Sequence, residues 1–263
     1  MSHPVSQTAT QPAQKAEWTP ARRALVIAGA VLIAATWLYF VLVHPADWDQ
    51  VTGSGQGIAL LAGYGIGTLL LLAAVIPVLP ARTLGLIPIA IIINSVIGEI
   101  VGSIGLPLYL DSVGTVLVAA LAGPVAGMAT GALNNVVWGL LNPAALPFAA
   151  GAALVGWLAG VSIHRFNAFR NIATVVGFGI LLGIIGGMVA APVAAYVYGG
   201  TAGVGTGALV SLFREMGGSL IASVTTQAFI SDPVDKVIVM LVAYFTVKAL
   251  PNRTVAAFAP QSK

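Results

Sequence analysis

Asn94, Glu99, Asp111, Asn134 and Asn135 lie inside or at the ends of membrane-length apolar runs. A charged group at the centre of a membrane helix costs about 2.5–3.5 kcal/mol on insertion scales. Side chains of this kind, kept close together in sequence, are expected to hold or pass something polar. Their chemistry is recognition rather than catalysis. His3, His44 and His164 are the only histidines, and none falls at membrane depth, which leaves no Ser/His intramembrane protease and no histidine metal site. There is no cysteine for a thiolate nucleophile, a disulfide framework or a thiolate-bound metal. No GxxxxGK[ST] loop is present to cradle a nucleotide. No enzyme activity and no cofactor are expected.

Each candidate has a structural alternative. Asn94 either meets a ligand or hydrogen-bonds a neighbouring helix. Glu99 either meets a ligand, stays protonated, or pairs with Arg214 or Lys236. Asp111 is suited to cap a helix beginning at Ser112. Asn134 and Asn135 are adjacent and point about 100° apart on a helix, so only one faces a shared site squarely. Tyr109 and Trp138 serve as interface anchors or, for Trp138, as a stacking platform. Arg214-Glu215 is either a surface pair or part of a loop over the site. Asp232, Asp235 and Lys236 open the last apolar run and read as caps and snorkelling groups.

The elements that carry these residues follow from composition. Of 263 residues, 58% are hydrophobic and 7% are charged. Soluble domains carry roughly 25% charged residues, so this chain is expected to be an all-α integral membrane protein in the lipid bilayer. The net charge of +3 reflects short basic loops; without a basic tract, no nucleic-acid partner is expected. A span needs about 20 apolar residues. Runs of that kind are Ala24–Val43, Gly57–Leu79, Leu84–Ile104, Leu146–Ile163, Asn171–Tyr198 and Val234–Leu250. Residues 1–21 read as a disordered cytoplasmic tail.

Charge placement orients the runs. Lys15, Arg22 and Arg23 put the N-terminus in the cytoplasm, Arg82, Arg165 and Arg170 mark inner loops, and Lys248, Arg253 and Lys263 put the C-terminus inside. Asp111 and Asn142 then both face out, so the stretch between them crosses twice, turning at Gly123-Pro124. The first limb, Val113–Gly123, spans only about 17 Å and must lean into a protein-lined or wet cavity. Eight spans result, with the long segment Gly199–Ser231 on the outer side. Glycines at spacing four (Gly123, Gly127, Gly131; Gly156, Gly160; Gly179, Gly183, Gly187) form flat stripes, either for internal helix packing or for a sliding contact with a partner helix. Gly63-Tyr64-Gly65 has the composition of a potassium-filter strand but lies in an uninterrupted apolar run, and Gly203–Gly207 reads as a flexible outer loop.

On this topology the polar residues gather toward the outer leaflet. A channel or proton wire would spread them along the whole path. A one-sided cup fits a site that captures a solute from outside.

Leu106-Pro107-Leu108-Tyr109-Leu110-Asp111-Ser112-Val113-Gly114-Thr115, then Ala122-Gly123-Pro124-Val125-Ala126-Gly127, Asn134-Asn135 and Ser231-Asp232-Pro233-Val234-Asp235-Lys236 together resemble the substrate-binding S component of energy-coupling factor (ECF) transporters. The resemblance covers residues 84–250. It implies a six-helix core with a short second helix, preceded here by two extra helices in residues 22–83 and followed by a cytoplasmic tail, 251–263. It also implies capture of a vitamin-like small molecule under outer loops, and delivery inward with a T component and two ATPase subunits. The family's Ala-x-x-x-Ala docking stripe is missing from the first core helix, which has Gly98-x-x-x-Gly102 instead, while Ala24/Ala28 and Ala30/Ala34 lie on the first extra helix. The alternatives are a ligand-sensing membrane domain, which shares the Asp-x-x-Gly-Thr and Gly-Pro-x-x-Gly pattern, and a stand-alone secondary transporter, which would need an internal repeat that the halves do not show.

Overall fold

The computed structural model describes residues 18–43, 54–200 and 203–260. Among these no strand occurs. The helices are α1 (Pro20–Val43), α2 (Gly55–Val75), α3 (Ala81–Ser103), α4 (Val113–Ala122), α5 (Pro124–Leu141), α6 (Ala149–Phe166), α7 (Ile172–Tyr198), α8 (Val204–Glu215), α9 (Leu220–Ala249) and α10 (Asn252–Ala256). Five helical stretches are long and apolar enough to cross a membrane: Pro20–Val43, Gly55–Val78, Ala81–Ser103, Pro143–Phe166 and Ile172–Tyr198. The tail expected over 1–21 lies outside the described residues as far as residue 17, and α1 already begins at Pro20. Residues 44–53, between α1 and α2, also lie outside them.

Local chemistry sets the helix ends. Ser54 and Ser219 accept hydrogen bonds from Gly57 N and Ala222 N as N-caps, and Asn171 with Thr174 forms a reciprocal capping box. The turn expected at Gly123-Pro124 is present. Gly123 has φ +94°, a conformation that L-residues rarely adopt, and Pro124 opens α5 at its first position.

Three findings depart from the sequence reading. The last helix begins at Leu220 rather than Val234, and runs through Pro233. Asp232, Asp235 and Lys236 are therefore buried in mid-helix, not caps or snorkelling groups at its start. Gly203–Gly207 is not a flexible loop: it opens the short helix α8. Gly63-Tyr64-Gly65, by contrast, is helical, in keeping with its uninterrupted apolar run, and the buried Tyr64 hydroxyl donates to Pro147 O.

The glycine stripes serve internal packing. A Cβ on Gly131 would lie 2.2 Å from Ala152 O, one on Gly156 2.2 Å from Gly127 O, and one on Gly160 2.4 Å from Pro124 Cα. The α5 and α6 backbones thus approach more closely than any side chain permits. Gly179 and Gly183 do the same for α7 against Val237 and Pro233 of α9. The α1–α2 hairpin is clasped to the rest of the bundle by Tyr64 and by Trp37 Nε1, which donates to Val189 O.

The bundle has two unlike ends. Arg22, Arg23, Arg82, Arg165, Arg170, Lys248 and Arg253 gather at one, where Thr83 Oγ1 ties the start of α3 to Phe258 O. The other is covered by α8 and by residues 104–112 and 142–148; these are called below the basic and capped ends. Adding a single methyl at Gly131 is expected to lower stability by about 1–3 kcal/mol, whereas Gly177→Ala, with open space around its position, is expected to be neutral or stabilising. Thermal unfolding of the two variants in detergent checks this.

Candidate functional site

Asn94 sits nine residues before the end of α3, about 14 Å along the helix axis. Its Nδ2 donates to Thr115 Oγ1 at 2.9 Å, and its Oδ1 accepts from Gly114 N at 2.7 Å. Gly114 leaves no gap between the helices: a Cβ there would meet Ala90 O at 2.3 Å. The start of α4 is therefore pinned beside the middle of α3. Residues 104–112 leave the capped end of α3 and descend into the bundle. Asp111 lies at the bottom of this descent rather than on an outer loop. Its neighbour Ser112 is the N-cap residue of α4 and makes no side-chain capping bond, so the cap expected from Asp111 is not formed.

Irregular backbone at this depth needs partners for its amides. Asp235 supplies them from the middle of α9. Its Oδ1 accepts from Tyr109 N at 2.9 Å and Leu110 N at 2.7 Å. Its Oδ2 accepts from Lys236 Nζ. Leu110 takes a left-handed φ of +50°, uncommon without glycine. Lys236 Nζ also lies 3.9 Å from Asp111 Oδ1. The Tyr109 hydroxyl shares a 3.0 Å hydrogen bond with Thr206 Oγ1, which fastens α8 over the descending segment.

Glu99 has different partners from those expected. Its Oε1 accepts from Trp138 Nε1 at 3.2 Å and from Asn142 Nδ2 at 3.5 Å, and it pairs with neither Arg214 nor Lys236. The Trp138 ring lies against Gly98, where a Cβ would be 2.9 Å from it, so Gly98 faces inward and cannot belong to an external docking stripe. Asn135 Nδ2 donates to Ala145 O at 2.9 Å, and its Oδ1 accepts from Asn134 Nδ2 at 3.1 Å. The two asparagines thus act in series, and both are buried; Asn134 Oδ1 has no hydrogen-bond partner. Arg214 and Glu215 end α8 on its exposed side and form no ion pair among the described residues.

The structure therefore divides the candidates. Tyr109 and Asp111 join Asp232, Asp235 and Lys236 in a buried ionic cluster. Glu99, Trp138 and Asn142 form a more exposed group at the capped end. Asn94 fastens α3 to α4. Sequence reasoning missed the cluster on α9. A signal was available: Ser223, Gln227, Ser231 and Asp235 recur every four residues, a polar stripe along one helix face.

Fold and site together define an all-helical, multi-pass membrane protein with a polar interior toward one end. Compared with known protein families, with curated proteins and with solved structures, the chain matches none.

Removing Asp235 leaves two amides and an ammonium without their acceptor. Asp235→Ala is expected to lower stability by about 3–5 kcal/mol. Lys236→Met in the Asp235→Ala background is expected to recover part of that loss. A double-mutant cycle of thermal unfolding in detergent measures the coupling, and additive losses would contradict it.

Proposed function

We propose that this chain is the solute-capturing membrane subunit of an importer of the ECF type. It crosses the bilayer eight times, with both termini and the basic end in the cytoplasm and the capped end outside. It takes a vitamin-like molecule from the outer side, and a T component with two ATPase subunits on other chains drives delivery inward. The seven described cations of the basic end agree with this orientation. The observation that carries the reading is the distribution of buried polar groups. Every buried carboxamide, carboxyl and ammonium side chain among the described residues (Asn94, Asn134, Asn135, Gln227, Asp232, Asp235, Lys236) lies between mid-bundle and the capped end. Toward the basic end the buried polar residues are hydroxyls only: Thr68, Thr83, Thr130 and Ser162. Buried polar groups gathered toward one end suit capture in a chamber there followed by a separate release step, not continuous conduction.

In this reading α8 and the 142–148 segment roof the chamber, and Glu99 with Trp138 and Asn142 forms its rim. With Gly98 turned inward, the exposed small residues Ala24 and Ala28 of α1 are the better candidates for docking the T component.

Purified protein is expected to bind a vitamin or vitamin precursor without ATP. A ligand at 100 times its dissociation constant adds about 2.7 kcal/mol of stability, readable as a thermal shift. Glu99→Gln is expected to weaken that binding tenfold or more. No shift across the panel would favour the sensor reading, and an unchanged affinity in Glu99→Gln would remove the rim.

A further inference from the structure

We propose that the chamber receives the positively charged nitrogen of an organic cation, with Asp232 as its counter-ion. The inference rests on the capture reading and names the charge class of its solute. Three carboxylates (Asp111, Asp232, Asp235) lie near one ammonium, Lys236, which pairs with Asp111 and Asp235 but not with Asp232; with all three ionised the formal balance is −3 + 1 = −2. Asp235 is fully engaged by Tyr109 N, Leu110 N and Lys236. Asp111 lies 3.9 Å from Lys236. Asp232 accepts no hydrogen bond among the described residues, although it is only 9% exposed. Its Oδ2 occupies a notch opposite Gly187, where a Cβ would be 2.8 Å away. A carboxyl this buried and without a hydrogen-bond partner is relieved by a proton or by a cation, and a cation is what a solute can bring.

A second observation points to a ligand at the same place. Ser231 Oγ, one turn before Asp235 and adjacent to Asp232, has no hydrogen-bond partner, nor does Gln227 Nε2 one turn further toward the capped end. Ser112 Oγ, beside Asp111, is likewise unpartnered. These residues are 4%, 5% and 5% exposed. Buried polar atoms are rarely left unpaired; Gln227 and Ser231 follow the stripe of α9 from the capped end down to the carboxylates, and Ser112 stands at the start of α4 beside Asp111. One end of the Gln227 amide is unpartnered, so the solute carries a hydrogen-bonding group about 7.5 Å along the helix from the nitrogen at Asp232.

The test uses the full chain in detergent micelles at constant ionic strength. Thermal shifts are measured with thiamine and agmatine as cations, riboflavin as a neutral probe, biotin and pantothenate as anions, and sodium chloride alone. A shift with at least one cation is expected. In Asp232→Asn its dissociation constant should rise tenfold or more, while the unliganded Tm stays equal or rises, because an unpaired charge has been removed. Ser231→Ala, a milder change, should weaken the same probe severalfold. Shifts confined to riboflavin, biotin or pantothenate would overturn the charge assignment and leave the capture reading standing. Cation binding unchanged in both variants, or a shift from sodium chloride alone, would also overturn the assignment. No shift with any probe would remove both readings.

Discussion

The Asp235 carboxylate is the interaction on which the rest of the molecule depends. One oxygen holds two backbone amides of an irregular segment, and the other holds an ammonium from the next residue of its own helix. Without it, the amides of Tyr109 and Leu110 would lose their acceptor within the bundle, where irregular backbone needs protein partners. With it, α4 can begin at half depth with only ten residues. The space that a full-length helix would have filled is left to the descending segment and the polar groups around it.

Close backbone packing makes this possible. Gly127, Gly131, Gly156 and Gly160 bring α5 and α6 together, and Gly179 and Gly183 bring α7 onto α9. Side chains at these positions would spread the bundle and separate α9 from the descending segment. The notch opposite Gly187 that accommodates Asp232 belongs to the same stripe. Small residues thus serve packing and site geometry together. Asn94 completes the frame by fixing α4 against α3 through both ends of its amide.

Much of the architecture was legible in the chain. Hydropathy located the long helices, because membrane-length apolar runs have few other uses. The Gly123-Pro124 turn was readable, because glycine permits the positive φ and proline cannot continue the preceding helix. The last helix was misread because Pro233 and the polar residues around it resemble a helix start. In fact Pro233 stands in mid-helix, and the four-residue period from Ser223 to Asp235 continues through it. The partners of the site residues were not legible. Asp235 meets Tyr109 across 126 positions, and Glu99 meets Trp138 across 39. Such pairings are set by helix arrangement, which local pattern does not encode. Charge alone had suggested Arg214 or Lys236 for Glu99, but Lys236 is held by two aspartates nearer to it.

The proposed capture of a small polar molecule needs the ionic cluster at half depth and the short helix α8 over the capped end to be held in place. That in turn rests on the descending segment being anchored as a built part of the interior. Amide hydrogen exchange at Tyr109 and Leu110, with the protein in lipid nanodiscs, reads the anchoring directly. The account predicts protection comparable to the middle of α3 and α9, and much slower exchange than at Gly105 and Leu106. Exchange at Tyr109 and Leu110 as fast as in an open loop would contradict it.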